Sequence, residues 1–308
     1  MLFQCTIKDS FEVSGVGLHS GESSRVIVSP APPDSGIVFI PRGKTEQEGI
    51  RAHYSNLHNT ANAITIGNGA YSIKTIEHFM AVFYVYDISN AFVLLEGAEI
   101  PILDGSSSSI VEAVEQVGVR IQNAFQRMVY IPYPVWIEEN GNYLIVLPNN
   151  RFKVTYTIDF SSKSEAVGTQ TAHYAIDREI FKNAIAPART FGFVEEIEHL
   201  QSKSLALGGS LDNALHFTRD GLVNDSLRFH NECVRHKILD LIGDLSLIGY
   251  KMAGHFIAYK AGHSLDLAFV RKIDRVVKRS RGRRMVPREV VRRRELQFHR
   301  FMRKIDGK

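Results

Sequence analysis

His236 and Asp240 stand four residues apart in a stretch with helical apolar periodicity, so their side chains leave the same face of a helix. An imidazole nitrogen and a carboxylate oxygen at that spacing can grip one small cation, and zinc accepts such a mixed set. Alone, the pair reads as well as a surface hydrogen bond. Cys233, three residues earlier, is either a rival ligand or a small buried hydrophobe. The dipeptide Glu77-His78 offers a further ligand with a carboxylate beside it. Next to a metal such a Glu takes a proton from water; otherwise it is an incidental acid on an exposed helix face. His263 follows Lys260-Ala261-Gly262, a loop setting suited to acid–base work or to plain solvent contact. Asp244, one turn beyond Asp240, can orient such a histidine or sit as a surface charge. The run Gly15-Val16-Gly17-Leu18-His19-Ser20-Gly21 is not a nucleotide fingerprint. Its third glycine is misplaced and no βαβ unit follows, so a tight turn between strands is the better reading.

The elements that must carry these residues follow from the apolar pattern. Short strands such as 25–28 and 37–40 precede a helix over about 73–86, with Ile76, Phe79, Met80 and Phe83 at helical spacing. A buried strand at 91–95, a turn at 101–107 and a helix over about 110–117 come next. The pattern resets around 121–127, taken as a domain boundary at 122/123. Strands at 128–137 and 143–147 flank Asn140-Gly141, a hairpin signal, and Val154, Tyr156, Ile158 and Phe160 alternate with one face buried. A helical segment near 178–185, a helix over about 230–249 and a strand at 256–259 complete a second half. Each half reads as strands, a helix and a strand, which hints at duplication.

Length and composition allow one large domain or two ordinary ones, folded rather than disordered. No apolar run reaches the roughly 18 residues that span a bilayer. The opening Met1-Leu2-Phe3-Gln4-Cys5 does not read as a secretory signal, and Cys5 and Cys233 are too few for a disulfide framework, so a cytoplasmic protein with reduced thiols is expected. Residues 271–308 hold 16 of the 37 Lys and Arg and 4 of the 33 Asp and Glu, a segment charge of +12 that leaves −8 on residues 1–270. That acidic body argues against a nucleic-acid partner.

Taken in order, several segments carry more than their parts. They are Gly15–Gly21, Thr75-Ile76-Glu77-His78, Glu99-Ile100-Pro101-Ile102-Leu103-Asp104-Gly105-Ser106, Ala188-Arg189-Thr190-Phe191-Gly192-Phe193, Gly208-Gly209-Ser210, Val234–Asp240 and Lys260-Ala261-Gly262-His263. The set, spanning about residues 5–270, resembles the UDP-3-O-acyl-N-acetylglucosamine deacetylase family of lipid A biosynthesis. The resemblance implies an α+β fold of two similar domains, each a helix pair layered on β-sheet, with the active site between them. It agrees with domains over 1–122 and 123–270 and implies an inserted acyl passage near 194–214, whereas the basic tail over 271–308 departs from the family's pattern.

The same resemblance assigns Zn2+ to His78, His236 and Asp240, leaving Cys233 as the buried residue. It makes Glu77 the general base and His263 the protonated histidine, kept charged by Asp244, with the Thr190 hydroxyl stabilising the oxyanion. The implied substrate is UDP-3-O-acyl-N-acetylglucosamine. Lys237 suits its phosphate, Phe160 its uracil and Phe191 its sugar, while His19, Leu200 and Ser210 are further substrate contacts. A monomer is expected. The basic tail is either a solvated, partly disordered segment or a peripheral contact with an anionic membrane, with Leu296, Phe298, Phe301 and Met302 adding apolar contacts.

Overall fold

The computed structural model describes residues 2–280 and 288–306. The chain opens with β1 (Leu2–Ile7), β2 (Phe11–Val16), β3 (Ser23–Pro30), β4 (Ile37–Pro41) and β5 (Ile50–Arg51). A small sheet of β6 (Leu57–Asn59), β7 (Thr65–Gly67) and β8 (Ser72–Lys74) leads into α1 (Glu77–Val85), β9 (Ile88–Glu96), α2 (Ser108–Val117) and β10 (Val119–Gln126). The second half runs through β11 (Met128–Tyr130), β12 (Val135–Glu139), β13 (Asn142–Leu147), β14 (Phe152–Asp159) and β15 (Thr169–Ala175). Then come α3 (Arg178–Ile180), a π-helical turn over Phe181–Ile185, β16 (Phe191–Phe193), α4 (Val194–Ser202) and β17 (Leu215–Phe217). The last elements are α5 (Glu232–Ser246), β18 (Lys251–Tyr259), α6 (His263–Ser280) and α7 (Arg288–Asp306).

The two halves share one plan, as the duplication hint anticipated. In the first sheet β9 lies between antiparallel β3 and parallel β4, with β1 parallel along its start. In the second, β18 lies between antiparallel β13 and parallel β14, with β11 parallel along its start. The outer strands match as well: β2 on β3 and β5 on β4, then β12 on β13 and β15 on β14, all antiparallel. Each central strand has a helix before it and one after it, α1 and α2 around β9, α5 and α6 around β18. The helix layers meet in the middle, where α1 packs on α5.

Local chemistry explains these elements. Val154, Tyr156 and Ile158 are buried and alternate with outward-facing neighbours, the period of a one-sided strand. Asn140 and Gly141 both take positive φ, as a two-residue hairpin between β12 and β13 requires. α1 is almost wholly buried, packed against a sheet on one side and α5 on the other. It starts later than its apolar spacing suggests. Ser72–Lys74 pair as strand and Thr75 takes φ of 66°, a left-handed turn that no helix interior accommodates. At α5 the helix backbones come close. A side-chain carbon at Gly243 would fall 2.2 Å from the Glu77 carbonyl oxygen, so this crossing admits only glycine.

Two expected boundaries move. The 122/123 break falls inside β10, which stays paired with β1 through Gln126, so the chain changes sheets at Arg127. The 270/271 break falls inside α6, whose Phe269, Val270, Ile273 and Val277 are buried in the core. Their spacing continues an amphipathic helix, which the charge count of the tail obscured. Nor are the described residues beyond 288 a loose tail. On α7, Phe301 stacks on Trp136 at 5.5 Å and Phe298 tilts against it at 5.6 Å, while Arg294 lies over Tyr133. Phe298 and Phe301, expected to meet a membrane, are thus used on the protein's own sheet, while Leu296 stays exposed. The basic run at 281–284 lies outside the described residues. Among the described residues no helix is long and apolar enough to cross a membrane.

Candidate active site

The α1–α5 crossing brings His78, at the start of α1, to His236 and Asp240 on α5. One donor atom from each lies within 4.8 Å of the others, and all three residues are buried. Asp240 Oδ1 is 3.4 Å from His236 Nε2 and 3.8 Å from His78 Nε2. Asp240 Oδ2 accepts a hydrogen bond from Lys237 Nζ at 2.7 Å. His236 Nδ1 faces the Ala188 carbonyl at 3.0 Å; a carbonyl only accepts, so Nδ1 carries the hydrogen and Nε2 presents its lone pair.

Protonation favours the same arrangement. Burial, reinforced by His236, lowers the His78 pKa to about 3, and burial also lowers that of His236. Burial alone would raise that of Asp240, but Lys237 and the surrounding histidines outweigh it and hold the carboxyl well below its usual range. The three groups are therefore two neutral imidazoles and a carboxylate, a donor set that fits a metal ion. Cys233 is not brought to this group and stays buried, its thiol pushed up to about 12.

Glu77 lies beside the triad. Its Oε2 accepts the Ile64 backbone N–H at 3.1 Å, and its Oε1 lies 3.9 Å from His263 Nε2. Burial raises its pKa to about 7 despite the opposing pull of His263. His263 is the first residue of α6, and its Nδ1 lies 2.7 Å from Asp244 Oδ2. Sequence reading took His263 for a loop residue; the helix start gives it a fixed direction instead.

A cavity of about 320 Å³ opens onto this group. Thr190, Phe191, Phe160, His19, Leu200, Lys237 and His263 all line it. Thr190 is anchored across the halves, its N–H donating to the Gly105 carbonyl and its carbonyl accepting from Leu215 N–H. Phe160 and Phe191 meet edge-on at 5.6 Å. From the insert, Ile197 and Ala206 join Leu200 on the wall, while Leu207 and Leu211 are exposed outside it. Ser210 is not among the lining residues. Its N–H donates to Asn213 Oδ1, so it shapes a turn beside Gly209, which does line the cavity.

Several positioning residues escaped sequence reading. Glu99 is buried and accepts from the N–H groups of His19 and Ser20 and from the Thr75 hydroxyl, fixing both the Gly15–Gly21 turn and the approach to α1. Both ring nitrogens of His19 are buried without a hydrogen-bond partner among the described residues. Glu232 accepts from Arg189 Nε and from the backbone N–H groups of Arg189 and Arg228, and so braces the loop that leads through Thr190 into β16. Glu99 and Arg189 stand in the ordered motifs, but nothing in their spacing announces a brace. Asp266, three residues after His263, was legible only by reading 263–280 as a helix.

Two buried imidazoles and a carboxylate from two helices, with an adjacent carboxylate and a braced histidine beneath a cavity, are a donor set and acid–base pair suited to metal-assisted hydrolysis. Comparison with known proteins narrows the class. Residues 4–275 match the family described as LpxC, UDP-3-O-acyl N-acetylglycosamine deacetylase, and the chain belongs to that family. Its relatives include three proteins named UDP-3-O-acyl-N-acetylglucosamine deacetylase. That of Oleidesulfovibrio alaskensis is 41% identical over 271 residues, 88% of each chain. That of Thermodesulfovibrio yellowstonii is 40% identical over 273 residues, 89% of this chain and 92% of the relative. That of Leptospira biflexa serovar Patoc is 39% identical over 269 residues, 87% and 88%. The protein is therefore an amide-hydrolysing deacetylase.

Proposed function

We propose that the protein hydrolyses the N-acetyl group of UDP-3-O-acyl-N-acetylglucosamine, releasing acetate and the free amine in the committed step of lipid A biosynthesis, with zinc as its metal. The observation that carries this reading is the meeting of His78 with His236 and Asp240 beneath an apolar-walled cavity. Zinc held by these three residues supplies Lewis acidity toward the acetamide carbonyl and toward water. Glu77, fixed through Oε2, accepts the water proton at Oε1. His263 Nε2, on the other side of a 3.9 Å gap, delivers a proton to the leaving nitrogen, and Asp244 holds its ring in place. The Thr190 hydroxyl donates to the oxyanion. Lys237 serves the phosphates, Phe160 the uracil, Phe191 and His19 the sugar, and Leu200 the acyl chain. Ser210 acts through its turn. The test is acetate release from the UDP-linked substrate together with metal content. A protein that holds no zinc, and whose His78→Ala variant keeps full activity, ends the reading.

The reading sets the enzyme in the cytoplasm, in line with two free, buried cysteines, and adds peripheral contact with an anionic membrane. Supporting this contact, Arg292, Arg293, Arg300 and Arg303 are exposed on α7, whose aromatic residues are already committed to Trp136. Reversing Arg292, Arg293 and Arg300 to Glu should abolish binding to vesicles containing phosphatidylserine. Binding equal to that of wild type sinks the membrane contact and leaves the deacetylase reading untouched.

A further inference from the structure

Three carboxylate oxygens behind His263 have no donor among the described residues. Asp244 commits Oδ2 to His263 Nδ1, but its Oδ1 and both oxygens of Asp266 are buried without a hydrogen-bond partner among the described residues. Asp266 stands one turn into α6 and is wholly buried. One oxygen of each aspartate and one His263 nitrogen lie within 4.8 Å of one another. Two ionised carboxylates sealed from water at that range repel, and neither Asp244 Oδ1 nor either Asp266 oxygen has a donor among the described residues to offset its desolvation.

The neighbours do not relieve them. On α5, Lys237 is bonded to Asp240 Oδ2, and from β14 the Tyr156 hydroxyl donates to the Ala261 carbonyl. On α1, Glu77 faces His263. A single proton between the two aspartates joins one oxygen of each and removes their repulsion. It turns one acceptor into a donor and leaves one negative charge for the histidine. Burial first, then Asp240 acting on Asp244 and Asp244 acting on Asp266, raises the proton affinity of both groups.

We propose that Asp266 is a positioning residue that keeps its proton at neutral pH and donates it to Asp244 Oδ1. Asp244 is thereby held with Oδ2 on His263 Nδ1, and the ring is held with Nε2 toward Glu77. Only the effect on rate rests on His263 acting as the acid; the proton on Asp266 does not.

Infrared spectroscopy of the metal-loaded protein at neutral pH tests the proton directly. Wild type should show the carbonyl stretch of a protonated carboxylic acid that is missing from Asp266→Asn. No difference between the two spectra overturns the proposal, whether or not either protein turns over. The kinetic arm uses two variants. Asp266→Asn keeps a neutral donor, so kcat should stay within about threefold and the alkaline limb of its pH profile should not move. Asp266→Ala removes the donor, and kcat should fall about tenfold or more with KM unchanged. An Asn variant as impaired as the Ala variant, or one whose alkaline limb shifts by about a pH unit, also overturns it. Loss of the His263 role alone would leave the infrared difference intact.

Discussion

Lys237 Nζ lies 2.7 Å from Asp240 Oδ2, so the carboxylate that faces two histidines through one oxygen is neutralised at the other. Asp240 is buried and Lys237 largely so, and breaking such a pair leaves a desolvated charge at a cost of up to about 3–5 kcal/mol. In Lys237→Met, Asp240 should take up a proton at higher pH than in wild type. Metal content measured down a pH series should then show release beginning at higher pH. A superimposable release curve would mean that Lys237 serves the substrate alone.

The proposed mechanism gives the neighbours Glu77 and His78 separable duties. His78→Ala should lose both metal and deacetylase activity. Glu77→Gln retains an acceptor for Ile64 N–H and should keep its metal, while kcat falls by about 10²–10⁴. Metal analysis beside acetate release on the same samples distinguishes the two outcomes.

Glu232 ties acid stability to the site. Burial pushes its carboxyl up, but hydrogen bonds from Arg189 and from the backbone of Arg189 and Arg228 outweigh this and bring it below 4.5. A carboxyl that is lower in the folded state gives stability that is complete above its unfolded value, and that stability disappears as pH falls through the folded value. Glu232→Gln should therefore melt lower than wild type at pH 7, with the gap narrowing as the pH drops below about 4. A gap that is constant with pH would assign the loss to packing instead.

Cys233 is buried and its thiol is pushed up to about 12, so almost no thiolate exists at neutral pH. Iodoacetamide should leave it unmodified in the folded protein and label it after denaturation, as read by mass spectrometry. Cys233→Ser should hold as much metal as wild type.

Trp136 is the sole tryptophan, and its ring stacks on Phe301. Phe301→Ala should expose it and shift its fluorescence emission to longer wavelength. An unchanged spectrum would mean that α7 does not rest on this sheet in solution.

The residues that the structure brings together, His78, His236, Asp240, Glu77 and His263, were legible because each stands in a short ordered motif, and helical spacing alone joined His236 to Asp240. The strands of the second half were legible too, since Val154, Tyr156 and Ile158 bury one clean face. What stayed hidden depends on contacts between distant segments. Nothing near Ile64 says that its N–H will hold Glu77, and nothing near Glu99 says that three donors will converge on it. The start of α1 was misjudged because the apolar period runs through Thr75, whose left-handed turn is set by tertiary hydrogen bonding. α6 was not read as a helix, because its arginines and lysines drew attention from Phe269, Ile273 and Val277, which mark its buried side.

The crossing at Gly243 also acts mechanically. One residue of the proposed metal site belongs to the first half and two to the second, and the glycine lets their helices touch backbone to backbone. Any larger residue would act as a wedge, prising His78 from its partners before it disturbed either sheet. The joint between the halves is thus a latch. Whatever loosens it should unmake the ligand set first, so backbone-amide exchange along α1 should quicken in step with metal loss.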